Sequence, residues 1–392
     1  MGATGTAIPP AAARLVSDAV DQRMMTTAVL AVGRGAQTFG VQILGETRSG
    51  PSGVPVTADT LFDLASLTKV VATTPAILRL YDADELDLDD PVSRYLPAYA
   101  QGAKAEVTLR HLLLHSSGLP AHRPFHWLPG TAASRLAAAA EEPLEAAPDT
   151  RVVYSDIGFM LLGAVIAKVS GAGLDHAARE LVFEPLGLAS TGYLPDPGRV
   201  FAATEPDPLT GEPISGRVHD ENAHALGGIA GHAGVFATVG DLIRYVQVGW
   251  LVEDGANGSD SANGNGFLSA RARAAATTCQ TARLDGRRGL GWTLAGDRWD
   301  HMTAAWPHTR AGHTGFTGTS VAFDPIGGLW AVLLTNAVHA GRDHAGIALL
   351  RRTVHAAVAA WAEAVGHADL PERRSCHAAA DYDRAVRIRG DR

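Results

Sequence analysis

Phe62-Asp63-Leu64-Ala65-Ser66-Leu67-Thr68-Lys69-Val70 sets a serine and a lysine three residues apart. On a helix, residues i and i+3 share a face with their Cβ atoms about 5–6 Å apart, so the lysine amine reaches the serine hydroxyl. An amine that sheds its proton locally turns a weak hydroxyl nucleophile into a useful one. The spacing S-x-x-K is a signature of serine enzymes that work through an acyl intermediate. Lys69 is one of three lysines in the chain, with Lys104 and Lys168, against a large excess of arginine. A lysine kept at this spacing in a lysine-poor sequence singles out the pair, although a motif so short needs support from elsewhere.

Two further segments supply it. Arg151-Val152-Val153-Tyr154-Ser155-Asp156-Ile157-Gly158 precedes the apolar run Phe159 to Val169 and reads as a turn delivering Tyr154 at the mouth of a buried helix. A phenol beside a cationic lysine shuttles protons as base and then as acid. Ala311-Gly312-His313-Thr314-Gly315-Phe316-Thr317-Gly318-Thr319 is followed by the strand-like Ser320 to Phe323, a turn at Asp324 to Gly328, and Leu329 to Thr335. Turn residues between β-rich flanks read as a hairpin of a sheet. Gly315 would let a substrate lie close against the strand backbone. The N–H groups of Phe316 and Ser66 would then be two donors to an oxyanion.

The order S-x-x-K, Y-x-D, H-T-G resembles the three motifs of the serine β-lactamase and penicillin-binding-protein superfamily. The branch it is most similar to holds class C β-lactamases, D-Ala-D-Ala peptidases, esterases and natural-product transacylases. Leu109-Arg110-His111-Leu112-Leu113-Leu114-His115-Ser116-Ser117-Gly118-Leu119-Pro120 and Gly227-Gly228-Ile229-Ala230-Gly231-His232-Ala233-Gly234-Val235-Phe236-Ala237-Thr238 strengthen the resemblance, which runs over residues 15–365. It implies Ser66 as nucleophile, Lys69 as its partner in proton transfer, and Tyr154 as the group that protonates the leaving group and activates the acceptor. His313, Thr314 and Gly315 would be the third motif, with Phe316 completing the oxyanion hole. Two departures stand out: Asp156 where many members have asparagine, and His313 where β-lactamases usually have lysine. Both make the pocket less cationic. A carboxylate near Lys69 holds the amine charged and raises its pKa, leaving more of the base work to Tyr154. The expectation is a substrate with no obligatory carboxylate.

The chain has 392 residues, 46% hydrophobic and 19% charged, the composition of an ordinary globular protein. A net charge of −8 argues against nucleic acid as a partner, since phosphate binding needs clustered Lys and Arg. The two cysteines, Cys279 and Cys376, lie far apart and speak against a disulfide framework or a Cys-based metal site. Met1 to Pro10 shows no basic stretch before an apolar core, and Phe159 to Ala167 is too short to span a bilayer. The expected compartment is the cytoplasm, with no membrane partner, which tilts the reading towards small-molecule acyl transfer.

The expected fold class is α/β (α+β): an antiparallel sheet flanked by N- and C-terminal helices, with an inserted mostly helical domain and the site in the cleft between. The sheet domain would take residues 1–75 and 286–366, and the inserted domain 76–285, with a flexible loop near 253–266 and a loose tail at 367–392. A first helix is expected at Pro10 to Gln22, then strands at Thr26 to Val32 and Thr38 to Leu44. The catalytic helix would begin at Ser66, its N-terminus favouring negative charge on the serine oxygen, and Pro75 should kink or break it. Strands return at Gly289 to Leu294, Thr314 to Phe323 and Leu329 to Thr335, before a helix at Ala345 to Val365.

Sixteen histidines raise the question of a metal. His111 and His115 share a helix face, but no glutamate follows His111 as a zinc-hydrolase helix requires. His219, Asp220, Glu221 and His224 read as a satisfied loop network, and His232 as a residue lining the cleft. No G-x-S-x-G elbow, Walker A loop or G-x-G-x-x-G fingerprint occurs. The expected enzyme therefore needs no cofactor. It forms an acyl-enzyme on Ser66 from a small-molecule ester or amide and passes the acyl group to an amine or alcohol. The alternatives are water as acceptor (an esterase or amidase), a D-Ala-D-Ala peptidase or β-lactamase, and a non-catalytic sensor.

Overall fold

The computed structural model describes residues 8–251, 266–342 and 345–366. Nearly all of the loop read at 253–266, and the tail at 367–392 with Cys376, lie outside these residues. Helix α1 (Pro10–Asp21) opens on a proline, whose missing N–H falls where a helix has no use for it, and buries Ala12, Val16 and Ala19. Strands β1 (Thr27–Arg34) and β2 (Gln37–Gly45) follow as a hairpin. The chain returns to this sheet through β6 (Thr293–Leu294), β7 (Ala311–Thr314), β8 (Ser320–Phe323) and β9 (Leu329–Thr335). Its order is β2-β1-β9-β8-β7-β6, antiparallel at every pairing.

The central strands are apolar on both faces because both faces are covered. In β1, Leu30 and Val32 join Leu333 of β9, Val16 of α1 and Val354 of the C-terminal helix (Ala345–Gly366). Val29 and Ala31 point the other way, into the core shared with the helical lobe. Two-sided burial is why such strands read as continuous apolar runs and not as alternating ones. Leu30→Ala would remove a side chain with no exposure, at a cost of about 2–5 kcal/mol.

The lobe between the two halves of the sheet includes helices Ala132–Glu141, Asp156–Ser170 and Val239–Trp250. It also carries a small second sheet that the sequence reading missed: β3 (Phe62–Asp63), β5 (Val235–Ala237) and β4 (Gly192–Tyr193), paired in that order. These strands are only two or three residues long, too short for periodicity to reveal.

Three local expectations need correction. The stretch read as a strand at 289–294 pairs only at Thr293–Leu294, because Gly291 takes φ +76° and packs against Thr74. The strand read at 314–323 is broken by a turn at 315–319, and those residues carry part of the site. The helix expected to begin at Ser66 is instead a 3₁₀ turn (Ala65–Leu67), a π turn (Lys69–Thr73) and then an α-helix (Thr74–Asp82). Pro75 does not break it: Thr74 N–H reaches back to Lys69 C=O, and the proline falls in the first α-helical turn, where no N–H is needed.

Candidate active site

The segment before Ser66 is held in a strained shape. Ala65 has φ +47°, a left-handed conformation costing a non-glycine residue about 1–3 kcal/mol. The Asp63 carboxylate bridges this bend, accepting from Ala65 N–H at 2.8 Å and from His219 N–H at 2.7 Å. Leu64 N–H bonds Val235 C=O, and Thr68 Oγ1 accepts from Val235 N–H at 3.1 Å, so the small sheet clamps both sides of the serine. Lys69 Nζ then lies 3.0 Å from Ser66 Oγ. The expected pairing holds, although the backbone between the two residues is not α-helical.

Ser155 caps the buried helix Asp156–Ser170, its Oγ accepting from Gly158 N–H at 3.2 Å and donating to Pro120 C=O at 2.7 Å. Tyr154, just ahead of the cap, is bracketed by His115. Val153 N–H bonds His115 C=O at 2.8 Å, and Ser155 N–H bonds His115 Nδ1 at 3.0 Å. Accepting at Nδ1 leaves the proton of this ring on Nε2. Burial, with the charges of Arg288 and Lys69, pushes His115 well below its ordinary 6.5, so it is neutral. Its ring packs at 4.6 Å on Tyr154.

Asp156, first residue of that helix, takes Lys69 Nζ at 2.7 Å. Nζ also reaches His232 C=O at 3.4 Å and lies 4.8 Å from the centre of the Tyr154 ring. Burial works against the charge on this amine, but the Asp156 carboxylate and, after it, Tyr154 outweigh burial and the pKa rises above 10.5. Burial likewise works against the Asp156 charge, and Lys69 overcomes it, holding the carboxyl well below the usual range. Lys69 is thus a standing cation that donates to Ser66 Oγ. On the cleft side, His122 Nδ1 lies 3.8 Å from Asp156 and is raised above its ordinary value by it. His232 is buried, with Nε2 2.9 Å from Asp220, so it contributes to the site through its carbonyl.

On β7, His313 bonds Thr314 C=O through Nδ1 at 2.9 Å and its ring lies tilted, 5.9 Å from that of Tyr154. Burial, followed by the charges of Lys69 and Arg288, keeps it well below 6.5. His313 is therefore neutral, as the less cationic reading of the pocket requires. Gly315 also serves the packing of the site itself. A Cβ there would sit 2.4 Å from Leu64 C=O and 2.2 Å from Thr319 Oγ1, so the glycine lets this strand end close on the nucleophile segment itself. Thr317 Oγ1 donates to Asp63 C=O at 2.8 Å and Thr319 Oγ1 to Leu64 C=O at 3.2 Å. These bonds fasten the segment bearing Phe316 N–H to the one bearing Ser66 N–H. The Phe316 ring is half exposed and stacks on His219, which Glu205 holds at 2.9 Å.

Ser66, Lys69, Tyr154, Asp156 and His313 thus form one cluster, with Thr314, Gly315 and Phe316 along the strand end beside it. Sequence reasoning missed His115, set aside as half of a metal pair, and Arg288. The Arg288 guanidinium is buried 5.9 Å from the Tyr154 ring and paired with Asp297 at 3.2 Å, a second cation behind the tyrosine. A buried arginine has no local sequence signature. His115 did have one, standing immediately before Ser116-Ser117-Gly118. The loop network expected at 219–224 is present: His219 on Glu205, Asp220 on His232, Glu221 on Arg342 and His224 on Arg217.

The β-lactamase family model matches residues 12–356. A putative D-alanyl-D-alanine carboxypeptidase of Escherichia coli (strain K12) is 33% identical over 322 residues, covering 73% of this chain and 71% of that protein. Among solved structures, EstCE1, a hydrolase with promiscuous acyltransferase activity, is similar with a TM-score of 0.70 at 23% identity, covering 90% of this chain and 98% of that one. A class C β-lactamase is similar with a TM-score of 0.69 at 21% identity, covering 90% and 98%.

Proposed function

The chain belongs to the β-lactamase family, as a serine hydrolase or acyltransferase, and we propose that it forms an acyl-enzyme on Ser66 and passes the acyl group to a small amine or alcohol in preference to water. The observation that carries this reading is Lys69 Nζ, which bridges Ser66 Oγ at 3.0 Å and the Asp156 carboxylate at 2.7 Å. A lysine held charged is a poor base but a good stabiliser of negative charge on Oγ. In the proposed reaction Oγ attacks an ester or amide carbonyl, and its proton moves to Tyr154 and on to the leaving group. The N–H groups of Ser66 and Phe316 hold the oxyanion meanwhile. In the second half the acceptor gives its proton to Tyr154 and attacks the acyl carbonyl, and Ser66 leaves with that proton.

The preference for an amine rests on charge. Asp156 and Asp220 are both held ionised near the nucleophile, where they offset Lys69 and His122, and His313 adds no positive charge. A cationic or polar acceptor suits such surroundings better than a carboxylate does. The fold accommodates both outcomes, since EstCE1 is described as a hydrolase with promiscuous acyltransferase activity. The test is the product ratio from an activated neutral ester with rising concentrations of small amines. Amide should grow at the expense of acid while total turnover of the acyl-enzyme rises. Acid alone at every amine concentration would make the protein a hydrolase.

One observation favours a second reading. The Escherichia coli relative, at 33% identity, bears the name putative D-alanyl-D-alanine carboxypeptidase. Release of D-alanine from a D-alanyl-D-alanine peptide, at a rate above that for a matched neutral ester, would establish it. The uncharged His313 supports the opposite ranking.

A further inference from the structure

The C-terminal helix sends one charged side chain through the sheet region towards the site. Arg351 is 8% exposed, and among the described residues its hydrogen bonds go to the turn between β7 and β8. Its Nη2 donates to Gly315 C=O at 2.5 Å and to Thr319 C=O at 2.9 Å, and its Nε to Gly318 C=O at 3.3 Å. No carboxylate among the described residues pairs with it. Burial lowers its pKa to about 10, so it remains charged at neutral pH. A buried cation satisfied only by carbonyls is costly, and hydrophobic residues with ordinary turn bonds could hold a hairpin at less cost.

The geometry points to a role for it. Gly315 C=O and Phe316 N–H belong to one peptide group, which is planar and trans, so the two bonds point in opposite directions. A guanidinium fixed on Gly315 C=O therefore sets the direction of Phe316 N–H on the far side, and pulls electron density so that this N–H becomes a stronger donor. We propose that Arg351 is a positioning residue for acylation, aiming and polarising the Phe316 N–H through the Gly315 carbonyl. This rests on the reading of Phe316 as an oxyanion donor. The planar fork matters as well as the charge, because three carbonyls are gripped from one direction by donors of fixed spacing.

The experiment compares acylation of the full chain by an activated oxo ester and by its thiono analogue, whose sulfur is a poor hydrogen-bond acceptor. Wild type should favour the oxo ester strongly. In R351M and R351K the oxo rate should fall by about tenfold or more, with the thiono rate changing much less, so the oxo/thiono ratio falls by about tenfold. The Kd of a non-reacting analogue should stay constant, and added guanidinium should restore part of the ratio in R351A. R351K keeps the charge and carries the comparison if R351M does not fold. Equal losses on the two esters, or an unchanged ratio, would reduce Arg351 to a structural brace and overturn the proposal. A wild type that does not discriminate between the esters would overturn the oxyanion reading itself, and this proposal with it.

Discussion

Asp156→Asn isolates the interaction that sets this site apart. The variant keeps an oxygen acceptor near Lys69 Nζ but removes the carboxylate 2.7 Å from it. Lys69 is fully buried and Asp156 is one-fifth exposed. Breaking a buried pair by removing one partner costs about 3–5 kcal/mol. The retained acceptor and the partial exposure of Asp156 bring the expected loss to about 2–3 kcal/mol, or about 2–4 °C in Tm for a chain of this size. The larger effect is on ionisation. In the wild type, burial lowers the pKa of Lys69 and Asp156, with Tyr154 after it, more than restores it, so the amine ends above 10.5. Its contribution to stability is complete below 10.5 and is lost only as pH rises through the folded value. Without Asp156 only Tyr154 opposes burial, so the folded value moves down and the stability that the raised pKa confers at high pH shrinks. Stopped-flow acylation by a neutral activated ester from about pH 6 to 10 reads the same change, as an added ionisation present only in the variant. Superimposable pH–rate profiles and an unchanged pH dependence of Tm would show that Asp156 does not hold Lys69 charged.

Other expectations concern the scaffold of the site. His115→Ala orphans Ser155 N–H beside the bracketed tyrosine, so it should cost about 1–3 kcal/mol and lower kcat more than it raises KM. His115→Asn, which can accept the same bond, should recover part of both in thermal melts and steady-state kinetics. Gly315→Ala places a methyl 2.4 Å from Leu64 C=O, so strand and nucleophile segments must separate, and acylation should fall by at least about tenfold. Four buried histidines, His115, His301, His313 and His355, have lowered pKa values, with His355 pushed down to about 3. The unfolded chain therefore binds protons that the folded one refuses, and stability falls as pH drops below 6.5. For His355 this costs about 2 kcal/mol at pH 5, and His115, His301 and His313 add losses of the same sign. Denaturant melts at pH 7 and pH 5 should show this loss, and His355→Phe should flatten the slope; equal midpoints at the two pH values would contradict it.

What the sequence revealed and what it hid divide along the range of the interactions. Ser66 with Lys69, and Tyr154 with Ser155 and Asp156, are local arrangements fixed by spacing and a helix cap, so the residues name themselves. The two-sided strands β1 and β9 were legible for the same reason. The contacts that tune the cluster come from far along the chain: Arg288 behind Tyr154, His115 gripping both neighbours of Tyr154, and Arg351 beneath Gly315. Residues of these types are usually solvated, so burial reverses the default reading of each. Arg351 did leave a trace. Ile347, Leu350, Val354 and Val358 form the buried stripe of the C-terminal helix, and Arg351 and His355 fall on that stripe by i, i+4 spacing. The turn at 315–319 was hidden by its β-rich threonines, which serve as hydrogen-bond donors to Asp63 and Leu64 and not as strand residues.

The most direct measurement of the central claim is a peptide map of the protein quenched during turnover of an activated neutral ester, beside Ser66→Ala treated in the same way. A single acyl adduct on the peptide containing Ser66, absent from the variant and lost faster when an amine is added, is the predicted result. No adduct on wild type, or the same adduct on Ser66→Ala, would contradict the assignment of Ser66 as the nucleophile that Lys69, Tyr154 and the strand end are built around.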